Sequence, residues 1–551
     1  MSLLPDLTFY YKDELHESYL DNAPDGWDEQ LIKWERNKKY YGMFRTFSIP
    51  LKFVKNGAKY LRTTFYNQGF SSTARLTVKA LDHTSLTYYT AYSGVFDFST
   101  FKDTDTHVEI NLIDTGLVKL IKDKEAVEYL FPNWSWSDPG YLGNQKPPGI
   151  YKVFWGWDWG NVDYYHWFRC SKLDNFIKLL LDKMTDGKIT SGVYGYKSNL
   201  VNGWSNGLMI TLGYDIRYNG TTGISRPSMG NYKTTFKDFF KSMDALFCVS
   251  FGVEIIGGKE TFVLEERRHA FDYTQIYDLG KASDLKLAVY KDYSFKSIKV
   301  GYSDKSYDDD TYSIPECNTE CTFEASNETT GDEYEIISKY RADGGGMRQI
   351  INNSNLTAWD NDSSDEDIFF IHVSNIDDNN PSHGHVAFIA TDQARKDIVS
   401  DPTQTPYGLF NTIISPKHNL VRHRNFIDSA MFGLGNTLLK FTSGLKDQVH
   451  NETKASDEIV WTKEYEGWTI GDGVSLSIQY FRPIEMSFDA VYNADFATAL
   501  RNNPRGRIKF SYLGNAYYGY VMSIETKLTG KGSQSIKLLS TSTNDLSKLI
   551  R

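Results

Sequence analysis

Apolar and polar residues alternate strictly in the first part of the chain. In ARLTVKALD, Leu76, Val78 and Ala80 fall on one side of an extended backbone and Arg75, Thr77 and Lys79 on the other. In HVEINLID, Val108, Ile110 and Leu112 alternate with Glu109 and Asn111. A period of two with one polar face predicts half-buried strands. Between the strand-like runs of FSIPLKFVKNGAKYLRTTF stands Asn56-Gly57, a dipeptide that tolerates positive φ, so a hairpin turn is expected there.

The period then lengthens. TGLVKLIKDKEAVEYL reads as a short helix, and SKLDNFIKLLLDKMTDG spaces Leu173, Phe176, Ile177, Leu180, Leu181 and Met184 along one helical face. Ser171 and Asp174 give that helix a box-like start, and Gly187 ends it. In TTFKDFFKSMDALF, Phe236, Phe239, Phe240, Met243 and Phe247 form an apolar stripe of the kind a core buries. VEIIGGKETFVLEE predicts a hairpin about Gly257-Gly258, followed by the strands DLKLAVY and FKSIKVGY. Alternation returns near the C-terminus in VSLSIQYF, PIEMSFDAVY, GRIKFSYLGNAYYGYVMSIETKL and SQSIKLLST, with a turn at Gly514-Asn515 and a short helix in ADFATALRNN.

These patterns predict a mainly β, multidomain protein with an α+β middle region and small β-barrel or sandwich domains at both ends. At 551 residues the chain exceeds what one hydrophobic core covers. The expected division is residues 1–115, a β domain; 116–170, an aromatic-rich arm or joint; 171–302, an α+β domain; 303–415, an acidic, loop-rich β region; and 416–551, a β-barrel or sandwich.

Charge narrows the partners. With 60 Lys+Arg against 70 Asp+Glu the net charge is -10, which lacks the basic excess that gripping a phosphate backbone requires, so no direct nucleic-acid recognition is expected. No apolar run approaches the ~20 residues of a membrane-spanning helix, and MSLLPDLTFYYKDELHES has no basic leader, so neither a spanning segment nor a signal peptide is expected. Four cysteines are too few for a disulfide framework. Cys170 and Cys248 read as buried thiols; Cys317 and Cys321 lack the two further ligands zinc needs.

Candidate chemistry is sparse. Nucleophile-elbow, P-loop, dinucleotide and zinc-protease patterns are absent. His383 and His385 stand in a loop without a third ligand in sequence. His418 and His423, beside Lys417, Arg422 and Arg424, form a basic cluster that favours an anionic partner surface over a metal. Asp360, Asp362, Asp365 and Asp367 place oxygens where calcium is conceivable, without the glycine turn and distal glutamate of a helix-loop-helix site. No catalytic, cofactor-binding or metal residue is assigned, no cofactor is implied, and the chain does not read as an enzyme. The rival reading is a glycan-binding or glycan-cleaving protein, since glycosidases need two carboxylates and no linear motif. It would use the tryptophan-rich stretch.

That stretch, YKVFWGWDWGNVDYYHWFRC at residues 151–170, holds four tryptophans, three tyrosines and two phenylalanines. Trp155, Trp157 and Trp159 alternate with Gly156 and Asp158, so an extended chain would set three indoles on one face. Such a face is expected to be covered by another subunit or domain, because left open it is an aggregation liability.

Taken in order, WDEQLIKWERNKKYYGMFRTFSIPLKFVKNGAKYLR, FDFSTFKDTDTHVEINLIDTGLVKLIK, TFKDFFKSMDALFCVSFGVEI, DYSFKSIKVGY, SKYRADG and SPKHNLVRHRNFI resemble stretches of proteins encoded by tailed phages and prophages of Bacteroidetes bacteria. Those proteins are similar to tail tip or baseplate components of hub or distal-tail type. The resemblance implies tube-like β domains around a central channel, residues 1–115 among them. It also implies a homo-oligomeric ring, threefold for a hub or sixfold for a distal-tail adaptor, with tail tube, baseplate or fibre proteins as partners. Assembly in the bacterial host cytoplasm and a final place in the virion tail are implied with it.

Overall fold

The computed structural model describes residues 7–12, 17–27, 31–47, 50–72, 74–82, 87–113, 116–131, 150–159, 162–200, 208–213, 232–257, 259–302, 321–324, 332–342, 366–374, 384–386, 416–430, 438–439, 468–469, 479–491, 494–527 and 533–549. The protein is mainly β, and its largest element is a 14-stranded sheet to which both ends of the chain contribute. The long strand Asn515–Lys527 is the seam between them. One of its edges carries Gly506–Tyr512 and then Leu31–Arg36, with Ile524 opposite Trp34 and Ser523 opposite Glu35; Ser533–Thr541 lies along the other.

From Leu31–Arg36 the N-terminal part continues through Met43–Phe47, Val108–Ile113, Thr87–Asp103 and Arg75–Asp82 to Leu7–Lys12 and Glu17–Tyr19. The alternating positions are where expected: Leu76, Val78, Val108, Ile110 and Leu112 are all buried. They pack beneath a helix, Lys55–Gln68, that stands where the Asn56-Gly57 hairpin turn was expected. The correction has a packing cause. Ala58, Leu61 and Thr64 bury a helical face, and a Cβ on Gly57 would lie 3.0 Å from Leu20 and 3.1 Å from Phe53, so this glycine admits neighbours rather than a turn.

On the C-terminal side the sheet curls over its own core. Asp272–Lys281 pairs in parallel with Gly506–Tyr512, while Ser283–Val289, one residue further on, pairs antiparallel with Phe481–Val491. The enclosed residues include Phe488, Ile508, Phe510, Val521, Ile536 and Leu538. Helix Ala494–Asn502 inserts Phe496 and Leu500 among them, and the expected turn is present with positive φ at Leu513 and Gly514.

The middle region is α+β. Helices Leu173–Met184 and Phe236–Phe247 bury the predicted stripes in one core. The hairpin Val249–Ile256 and Lys259–Glu266 turns at Gly257, whose φ is +58°. Two local expectations change. Ser171 is not a helix cap: it lies buried in the strand Val162–Lys172, and the helix begins at Leu173. The run TGLVKLIKDKEAVEYL is helical only over Gly116–Lys124, after which Glu128–Phe131 pairs with Tyr232–Thr235.

The tryptophan-rich stretch is a β-hairpin. Ile150–Trp159 and Val162–Lys172 pair with Trp157 opposite Tyr164, and with Leu208–Leu212, Ile368–Ser374 and Gly384–Val386 they close a small barrel. The side chains of residues 151–170, Cys170 included, lie outside the described residues, as do Asp360, Asp362, Asp365, Cys317 and His383.

Candidate functional site

The densest buried polar chemistry among the described residues lies where the long sheet meets the middle region. It begins at a hairpin tip. Asn37 accepts from the backbone N–H groups of Lys39 and Tyr40 through its side-chain oxygen, at 2.8 and 2.9 Å, and from that of Tyr41 through its carbonyl, at 2.8 Å. This fixes the turn between Leu31–Arg36 and Met43–Phe47 and sets Tyr41 in the left-handed region, at φ 62°.

The consequence is that Tyr40 and Tyr41 enter different cores. Tyr40 packs edge-on against Phe240 at 4.8 Å, with Phe236 and Phe251 around it, and its hydroxyl reaches Glu125. Tyr41 stacks on Tyr293 at 5.9 Å and meets the edge of Phe426 at 5.4 Å. Between the two rings the backbones touch: Phe251 N–H donates to the Tyr40 carbonyl at 2.8 Å, and a Cβ on Gly42 would lie 2.5 Å from the Phe251 oxygen.

Three arginines surround this crossing. Arg267 is fully buried, with its guanidinium 3.9 Å from the Tyr41 ring centre and 4.4 Å from that of Phe426. It donates to Asp244 and to the Tyr334 hydroxyl. Tyr334 in turn is 2.6 Å from His423 Nδ1, and His423 Nε2 is 2.9 Å from the Asp244 carbonyl. That pairing assigns the proton to Nε2, since a carbonyl only accepts, and leaves Nδ1 to accept from Tyr334. Burial, with Arg267 adding to it, drives His423 far below the usual imidazole range, so it is neutral. Burial raises Asp244 against the pull of Arg267.

Arg36 is the second, bound only to carbonyls: Nε to Val521 at 3.3 Å and Nη1 to Tyr41 and Ala270 at 3.1 and 2.7 Å. Arg505 is the third. It follows helix Ala494–Asn502 and grips both strands of the middle hairpin, Glu254 from Nε at 2.8 Å and Glu265 from Nη1. Burial foremost, and the neighbouring Glu254, push the Glu265 carboxyl up to about 7 against the pull of Arg505.

The basic cluster of SPKHNLVRHRN is therefore corrected in part. It forms helix Pro416–Ala430, but His423 faces the buried network, and Arg422 donates to the Leu246 carbonyl at 2.6 Å, its guanidinium lowered to about 9 by burial. Arg424 pairs with Asp428 at 3.7 Å on the same helix. Asp367 pairs with Arg341 at 3.1 Å. Cys248 is a buried free thiol, pushed up to about 12 by burial. Sequence reasoning missed Arg36, Tyr40, Tyr41, Asp244, Arg267 and Arg505. Their one legible signal was the pair Tyr40-Tyr41 followed by Gly42.

What this arrangement does chemically is hold distant segments together: each guanidinium links parts of the chain far apart in sequence. Among the described residues no group of three His, Cys, Asp or Glu side chains converges as metal ligands, and no helix is long and apolar enough to cross a membrane.

No protein-family model matches the chain, and no curated protein matches it by sequence. Among solved structures it is similar to prophage tail protein gp18 from Listeria monocytogenes EGD-e, at 7% identity and a TM-score of 0.33, covering 98% of this chain and 97% of that one. A tail protein from Neisseria meningitidis MC58 gives 8% identity and 0.36, covering 98% of each chain. The 43 kDa tail protein of prophage MuSo2 from Shewanella oneidensis gives 7% and 0.34, covering 97% of this chain and 99% of that one. Superpositions this loose carry no argument about fold or role.

Proposed function

We propose that this chain is a structural component of a phage tail tip or baseplate, forming a ring that joins the tail tube to the host-attachment apparatus. The single observation that carries the reading is where the buried polar groups point. Arg36, Arg267 and Arg505 lock segments up to 485 positions apart, at contacts with carbonyls and side chains of the same chain, which is the chemistry of a part that must keep its shape under load. The ordered sequence stretches supply the kind of part. In this reading the ring is a threefold or sixfold homo-oligomer whose partners are tail tube, baseplate or fibre proteins. The net charge of -10 suits a channel that does not grip passing DNA. The chain assembles in the host cytoplasm and ends in the virion tail.

Two measurements test it. Two-dimensional class averages of the purified protein, alone or with tail partners, should show rings with three or six subunits, and mass spectrometry of purified virions should detect the chain. A protein that stays monomeric with those partners and is missing from virions overturns the proposal.

A further inference from the structure

The 14-stranded sheet ends on Ser283–Val289, and among the described residues that strand pairs only with Phe481–Val491. From Lys286 opposite Ser487 to Val289 opposite Ile484 the register is regular. Tyr290 N–H donates to the Pro483 carbonyl at 2.8 Å, which turns its backbone groups toward Phe481–Val491. Successive residues of a strand turn theirs to opposite sides, so those of Leu287 and Val289 face away from that partner. The side chains are open as well. Leu287 stands opposite Met486 and Leu285 packs on the same core, so Leu285, Leu287 and Val289 lie on the core-side face, yet Leu287 is 46% exposed and Val289 65%. The sheet runs past its core here. Elsewhere its edges are blunted: the strand at the far end, Glu17–Tyr19, has 3 residues, and Asp272–Lys281 is broken by register shifts along its length. Short and bulged edges discourage pairing, and the run Lys286–Val289 has neither defence.

We propose that this edge pairs antiparallel with the same strand of a second copy of this chain, Leu287 opposite Leu287. The run LKLAV is symmetric in pattern about that residue. Leu285 then meets the second copy's Val289, and the two core-side faces join into one apolar row, while the Leu287 backbones exchange hydrogen bonds. Charge fits the same register. Lys286 comes opposite Ala288 of the second copy, and Ala288 has Glu485 on its other side. The small alanine lets the lysine lie across it toward that glutamate, two strands or roughly 10 Å away, and the twofold axis repeats the pair. The contact is isologous, whereas a ring closes by heterologous contacts, so it stands independently of the tail reading; a ring carrying it would pair with a second ring.

Sedimentation of the full chain should show twofold association that grows with concentration. Val289→Pro removes an N–H that faces away from Phe481–Val491, and should weaken this association about tenfold or more. Under mild oxidation Leu287→Cys should give a covalent dimer that the wild-type chain does not, because the Cα atoms of a hydrogen-bonded antiparallel pair are about 5.5 Å apart, within the span of a disulfide. Leu285→Cys and Val289→Cys should each fail to link alone and should link when mixed. The proposal is overturned if Leu287→Cys yields no such dimer, or if Val289→Pro leaves the association unchanged. Capture of the edge by another tail protein without any self-linkage overturns it as well.

Discussion

Gly42 has no room for a methyl group. The crossing of Met43–Phe47 over the middle hairpin brings the Phe251 carbonyl oxygen within 2.5 Å of the position a Cβ would occupy, and a backbone atom cannot swing aside as a side-chain tip can. Gly252, on the other side of the same crossing, would place its Cβ 3.6 Å from the Gly42 Cα, an ordinary contact. The two substitutions therefore separate. Gly42→Ala should cost about 1–3 kcal/mol or more of stability by overpacking, and Gly252→Ala far less, as read from urea unfolding of each variant. Equal effects would mean that the crossing is looser than described. At this scale the sequence was legible where a residue's partners are its neighbours: Leu76, Val78, Val108 and Ile110 announce their burial by alternation alone. Tyr40 and Tyr41 do not, because the rings that receive them, Phe240 and Tyr293, lie about 200 and 250 positions further on. His423 was misread for the same reason: a histidine among basic residues resembles a solvated surface until Tyr334 and Asp244 are set against it.

Between elements, the most exposed of the three clamps is the one at Arg505. It fastens the turn after helix Ala494–Asn502 to both strands of the hairpin Val249–Ile256 and Lys259–Glu266. Two carboxylates share one guanidinium there, and Lys197 and Asn199, on the strand Gly195–Asn199 beside Glu265, are the other groups that favour its ionised form. Burial and Glu254 outweigh them, so the folded protein holds a proton on Glu265 up to about pH 7, where an exposed glutamate releases it near 4.5. A raised carboxyl pKa means that the folded state binds the proton more tightly. This contribution to stability is complete below about pH 4.5 and is lost as pH rises through 7. A difference of that size corresponds to ~3 kcal/mol across the window. Glu265→Gln keeps an acceptor for Arg505 and cannot ionise, so urea unfolding at pH 5, 6, 7 and 8 should show a flatter profile than wild type, with the variant gaining relative stability towards pH 8. Parallel profiles would refute the assignment. Element type was the most legible level of the fold, and the hairpin expected at Asn56-Gly57 shows its limit. Local turn chemistry gave way to a helix because Leu20 and Phe53 occupy the space beside Gly57.

For the whole molecule, the decisive feature is the pairing of Leu31–Arg36 with Asn515–Lys527, which no periodicity could disclose because it joins strands nearly 500 positions apart. Alternation marked Asn515–Lys527 as a strand, left Leu31–Arg36 unmarked, and said nothing of their adjacency. The division at residues 115, 170, 302 and 415 is a proposal about folding units, and this seam makes a specific demand on it. Trp34 and Ile524 sit opposite each other and belong to the same core as Phe488 and Phe510, so removing the C-terminal strands exposes one side of Leu31–Arg36 and strips Trp34 of its apolar neighbours. Edge strands that lose their partners also gain a free row of backbone donors and acceptors. In hydrogen exchange of the full chain, the amides of Ile32–Arg36 and Ser523–Lys527 that bond across the seam should open together, with protection rising and falling in parallel as urea is added. A truncated chain ending near residue 505 should lose protection at Leu31–Arg36 and become prone to association through that edge. If it instead retains full protection there and unfolds at the wild-type urea concentration, the N-terminal β region is an independent unit, and the seam is a contact between finished domains rather than part of one cooperative sheet.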